Sequence, residues 1–121
     1  MASTITYNEK GEQVSLYNKI HLFDVTLPKS QESYNESKYF MPGDKIEVID
    51  TPIGRAGIAC CYDLRFPELF SLQQEQKVDV IILPASFTEQ TGKVHWETLI
   101  KARAIENLSF VVSSCQGGYH I

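Results

Sequence analysis

Cys61 stands between a short run of mainly small residues, 55–60, and Pro67, a residue well placed to open a helix. A thiol at a sharp strand-to-helix turn is exposed by the change of direction, and backbone N–H groups beside it can hold a developing oxyanion. A helix N-terminus and a close lysine or arginine would lower its pKa and raise the thiolate fraction. The chemistry within reach is nucleophilic attack on a carbonyl carbon. Cys60 is the adjacent residue on a strand end, so the two thiols should point to opposite faces, one in the site and one in the core. Spacing alone leaves open that Cys60, Cys61 and Cys115 are all inert core thiols.

The elements that must position Cys61 follow from the pattern on either side of it. Gly11, in Asn8-Glu9-Lys10-Gly11, marks a turn between two strand-like runs, which reads as a hairpin with its second strand at 13–17. Residues 26–44 form a long polar stretch punctuated by Pro28, Pro42 and Gly43, expected to be a functional loop or lid. A strand at 45–50, a turn at 51–54 and a strand at 55–60 lead to the thiol. A helix then opens at Pro67, with Glu68 complementing its positive end and Leu69, Phe70 and Leu72 as its apolar face. Residues 78–83 are a nearly unbroken aliphatic run, the mark of a strand buried on both faces. A longer helix is expected over 93–107, with Trp96, Leu99, Ile100 and Ala104 at helical spacing, and a last strand over 109–115. Strand, helix, strand, helix, strand predicts an α/β fold.

Composition narrows the classes. The chain has 121 residues, 43% hydrophobic and 21% charged, enough for a globular core. Net charge is −4 without a basic stripe, so nucleic acid is not an expected partner. No apolar run approaches bilayer length, so no membrane association is expected, and no secretory signal opens the chain. Three cysteines, an odd number, argue for free thiols in a reducing, cytoplasmic setting. His21, His95 and His120 fit no zinc spacing together with the cysteines, so neither a metal nor another cofactor is expected.

Several longer motifs now line up. Gly57-Ile58-Ala59-Cys60-Cys61-Tyr62-Asp63-Leu64-Arg65-Phe66-Pro67-Glu68 resembles the nucleophile signature of the nitrilase superfamily of carbon–nitrogen hydrolases. Tyr17-Asn18-Lys19-Ile20-His21-Leu22-Phe23-Asp24 resembles its lysine segment, and Glu36-Ser37-Lys38-Tyr39-Phe40-Met41-Pro42-Gly43-Asp44 its second-glutamate loop. The stretches His95-Trp96-Glu97 and Lys101-Ala102-Arg103-Ala104-Ile105-Glu106-Asn107 resemble the helix after the site strand. With the ending Gln116-Gly117-Gly118-Tyr119-His120, the chain is most similar to the omega-amidase and deaminated-glutathione-amidase branch.

The resemblance implies an α-β-β-α sandwich, present in part, and a nucleophile at Cys61 assisted by Lys19 and Glu36. Its substrate would be a small carboxylate-bearing molecule with a terminal amide. Tyr62, through its N–H, would share the oxyanion with Lys19. Phe87 would line the acyl pocket, and Arg65 could bind a substrate carboxylate through its fork. Arg65 could equally pair with Asp63 or Glu68 as a structural clamp, and Arg103 and Glu106 are expected to hold helix to sheet. Lys19 and Glu36, without the motif, would read as solvated surface charges. Family members place a glutamate general base well upstream of the lysine, and neither Glu9 nor Glu12 matches that motif. Residues 1–121 are therefore expected to be the central portion of such a domain, truncated at both ends. A homodimer or a complementing N-terminal fragment would be its macromolecular partner. The alternatives are a catalytically inactive remnant or split-enzyme fragment that serves assembly, and a redox role for the vicinal Cys60 and Cys61.

Overall fold

The computed structural model describes residues 1–26 and 33–118. Pro28 of the polar stretch and Tyr119 and His120 of the terminal motif lie outside the described residues. Strands β1 (Ser3–Tyr7) and β2 (Gln13–Asn18) form the expected antiparallel hairpin, turning at Gly11 with φ 76°. The polar stretch is more ordered than a plain loop. β3 (Asp24–Thr26) pairs antiparallel with β4 (Ser33–Asn35), and a 3-10 turn follows at Glu36–Lys38.

Four strands make the main sheet, in the order β5 (Glu47–Thr51), β6 (Gly54–Ile58), β7 (Val80–Ala85), β8 (Phe110–Cys115). β5 and β6 are antiparallel, whereas β6, β7 and β8 run parallel. Parallel neighbours require crossovers, and helices supply them. A 3-10 turn (Cys61–Arg65) and α1 (Pro67–Glu75) connect β6 to β7. The crossover from β7 to β8 consists of α2 (Glu89–Thr91), a π-helical segment (Gly92–Trp96) and α3 (Glu97–Glu106). The architecture is mixed α/β, as the alternation of patterns predicts.

The core joins the sheet to the first crossover: Ala59, Leu64, Leu69, Phe70, Val78, Ile81 and Leu83 form one buried cluster. Full burial of one such large aliphatic or aromatic side chain is worth about 1.5–3 kcal/mol. Trp96, Leu99 and Ile100, the expected stripe of the longer helix, pack against this cluster half-buried. The core therefore lies directly beneath the Cys61–Arg65 turn, with Leu64 as the turn's anchor.

Candidate active site

Lys19 leaves the end of β2 with its backbone fixed on both sides. Its N–H donates to Ala2 O at 2.9 Å, and its carbonyl accepts from the Gly43 N–H at 2.8 Å. Gly43 has to be glycine, since a Cβ there would stand 2.1 Å from Asn18 O. The Lys19 side chain is only 3% exposed, and its ammonium meets Glu36 Oε2 at 2.6 Å. The same oxygen accepts the Phe23 N–H at 2.8 Å. Breaking so buried a pair leaves an uncompensated charge and typically costs about 3–5 kcal/mol. Lys19 and Glu36 are thus partners, not the solvated surface charges that the motif-free reading expects.

Cys61 lies at the start of the 3-10 turn, and α1 begins only at Pro67. The helix-end field expected to act on the thiol is therefore a full turn away. What singles out Cys61 is its backbone, held at φ 50°, a left-handed conformation that costs a non-glycine residue about 1–3 kcal/mol. This kink breaks strand alternation. Cys60 is consequently not a core thiol on the opposite face; both cysteines are half-buried and line the same groove. Burial pushes the Cys61 thiol up from its ordinary range, with the Lys19 ammonium pulling it partly back, so the expected lowering does not appear. Burial also raises Cys60, to about 11. The Cys61 Sγ donates to Ser86 O at 3.7 Å.

Sequence reasoning missed the group that ties these segments together. Asp63 is fully buried, and its carboxylate accepts from the Tyr17 hydroxyl at 2.7 Å, the His21 N–H at 3.0 Å and the Cys60 N–H at 2.9 Å. The His21 ring lies against it too, with Nδ1 2.8 Å from Oδ1. Burial and the adjacent Asp63 carboxylate push the Tyr17 phenol far above its usual range, so it remains a donor. An available signal was the acidic residue three positions after Cys60, where a capping side chain bonds back to the residue that opens the turn.

The remaining candidates gather around Cys61. Cys61, Tyr62, Arg65 and Phe87 line a pocket of about 20 Å³, with Phe23, Ser86, Thr88 and Thr91 completing the wall. It opens on a wide groove of about 1240 Å³ that also contains Lys19, Glu36 and Cys60. Arg65 does not clamp Asp63 or Glu68. Asp63 is committed elsewhere, and among the described residues no carboxylate lies within ion-pair distance of Arg65. Its guanidinium lies instead 5.3 Å from the Phe87 ring and 5.9 Å from that of Tyr62, and meets His95 Nδ1 at 3.3 Å. The π-helical widening carries both His95 and Trp96, and the Trp96 ring packs edge-on against Phe87 at 4.9 Å. Arg103 Nε donates to Leu64 O at 3.0 Å, so Arg103 holds the helix to the Cys61–Arg65 turn, not to the sheet. Its guanidinium also meets Glu106 at 2.5 Å and lies 5.3 Å from the Phe70 ring. Among the described residues no cluster of three or more metal-ligating side chains occurs, and no helix is long and apolar enough to cross a membrane.

The family profile for carbon–nitrogen hydrolases matches residues 2–120. A deaminated glutathione amidase from Yersinia enterocolitica is 44% identical over 118 residues, which cover 98% of this chain and 41% of that protein. Among solved structures, the nitrilase and fragile histidine triad fusion protein of Caenorhabditis elegans superposes with a TM-score of 0.89 at 41% identity, covering 98% of this chain and 29% of that one. Saccharomyces cerevisiae Nit3, described as a member of branch 10 of the nitrilase superfamily, gives 0.80 at 34% identity, over 93% and 38%. The chain spans about two fifths of the amidases it matches.

Proposed function

The chain belongs to the carbon–nitrogen hydrolase family, and from that premise we propose that it carries the attacking part of an amidase site for small carboxylate-bearing amides. The observation that carries this reading is the convergence of Cys61, Lys19 and Glu36 on one groove, with Cys61 in a strained left-handed backbone. Cys61 would attack the amide carbon as a thiolate. The tetrahedral oxyanion would be held by the Lys19 ammonium and the Tyr62 N–H, and collapse would break the C–N bond and release ammonia. Water would then cleave the thioester and free the acid. Glu36 fixes the ammonium in place, because its carboxylate is already shared between Lys19 and the Phe23 N–H.

Arg65 supports the substrate class. A cation lining the same pocket as the thiol, and not neutralised by any carboxylate of the described chain, is a ready fork for a substrate carboxylate. Phe87 and Tyr62 would flank the acyl chain while holding the guanidinium by its faces. The proton leaving Cys61 needs an acceptor, and no residue matches the upstream glutamate motif that the family resemblance implies. Assay of the chain alone, and mixed with an N-terminal fragment of a relative, against the monoamide of a short dicarboxylic acid tests the reading. Ammonia release that disappears in Cys61→Ala is expected. No release under either condition sinks it.

A second reading, a non-catalytic assembly partner, is favoured by the apolar side chains exposed on and before β8: Leu108 (89%), Phe110 (80%) and Val112 (57%).

A further inference from the structure

Lys19 and Cys61 sit on different elements, yet the residue two positions after each one meets its counterpart. His21 follows Lys19, Asp63 follows Cys61, and the two side chains join at 2.8 Å. From this geometry we infer that His21 and Asp63 form a positioning pair that sets the placement of the Cys61 turn against the lysine strand. The inference rests on the proposed site, in which Lys19 acts on Cys61.

Three observations support it. Asp63 is 0% exposed, so its carboxylate depends entirely on its protein donors, and two of the four contacts come from His21, one from its N–H and one from its ring. A third donor, the Cys60 N–H, belongs to the residue that leads into the strained Cys61. Displacement of Asp63 would thus be transmitted directly to the backbone that holds Cys61 at φ 50°. The His21 ring is itself fixed from the other side. It stacks on Phe66 with centroids 3.8 Å apart and planes 8° from parallel, and Phe66 closes the same 3-10 turn. The ring accordingly bridges the beginning and the end of the nucleophile turn from the lysine segment. It is a quarter exposed and lines neither the pocket nor the groove, so it is a positioning residue, not a catalytic one.

Two substitutions separate the hydrogen bond from the stack. His21→Asn keeps a donor near the position of Nδ1 and loses the ring; His21→Phe keeps a ring on Phe66 and loses the donor. The readout is the rate at which iodoacetamide alkylates Cys61, followed by peptide mass spectrometry, with Cys115 in the same molecule as an internal reference and the melting temperature measured in parallel. Lys19 raises the thiolate fraction of Cys61 only while the two segments stay in register. His21→Phe is expected to slow Cys61 about tenfold relative to Cys115 while the chain stays folded at the assay temperature, and His21→Asn to stay within about threefold of the parent chain. A His21→Phe chain that reacts at the parent rate overturns the inference, and so does a His21→Asn chain as slow as His21→Phe. If His21→Phe unfolds and both thiols become fast, the decision falls to His21→Asn, which must hold the parent rate. Alkylation needs no substrate, so a chain that releases no ammonia would still report on the pair.

Discussion

Cys60 and Cys61 are neighbours with different resistance to ionisation, and the difference is testable without any substrate. Burial raises both and the Lys19 ammonium lowers both, but Cys60 still reaches about 11, while Cys61 has the Ser86 peptide as its largest lowering influence. The thiolate is the reactive form, so alkylation of each should climb with pH until its pKa is passed. Cys61 is expected to react first as pH rises, and Cys60 to stay largely unmodified until close to pH 11; modification of Cys60 ahead of Cys61 would contradict this order. The same shift has a consequence for stability. The folded state holds the Cys60 proton more tightly than the unfolded chain, whose thiol ionises near 9. The unfolded state therefore binds fewer protons between pH 9 and 11, and stability falls with rising pH across that window. Replacement of Cys60 by alanine should flatten that part of a melting-temperature profile.

Two elements that never share a sheet, β2 and the segment entering β5, are pinned together at Gly43. The approach of its Cα side to Asn18 O leaves no room for a Cβ, which would stand at 2.1 Å. Gly43→Ala must push the chain away from residues 18 and 19, breaking the Gly43 N–H to Lys19 O bond. A loss of about 1–3 kcal/mol in denaturant unfolding is expected, together with slower Cys61 alkylation as Lys19 shifts. Unchanged unfolding and alkylation would mean that the loop relaxes without disturbing the strand. In sequence, Pro42-Gly43 reads as punctuation in a polar stretch, because a contact with residues more than twenty positions away has no local signature. The regular elements were legible for the opposite reason. The aliphatic run that becomes β7 and the stripe of Trp96, Leu99 and Ile100 record their burial in the residues themselves. The left-handed Cys61, the 3-10 turn before α1 and the π-helical widening at Gly92–Trp96 depend on tertiary contacts, and residue pattern alone placed a simple strand end and one continuous helix there. Lys19 and Glu36 are legible as a pair only through motif resemblance, while the long-range role of Asp63 has no local signature because its partners lie at Tyr17 and His21.

The distribution of apolar surface over the whole molecule separates the two functional readings. On the main sheet, Ala56, Ile58 and Val80 are buried, and the register aligns Val80 with Phe110 and Ile82 with Val112. The face that is closed at β6 and β7 thus stays open at β8, an edge strand of the sheet among the described residues, where Phe110 and Val112 project into solvent. An open apolar edge of this kind favours pairing with another chain, and natural edges are usually blunted by charge. Phe110→Glu combined with Val112→Lys places two charges on that face without touching the groove or the core cluster. The parent chain is expected to self-associate with rising concentration in sedimentation velocity, and the double variant to shift toward monomer while its Cys61 alkylation rate is retained. A parent chain that stays monomeric across the range would remove the assembly reading and leave the groove, with its thiol and ammonium, as the part of the molecule with a function to explain.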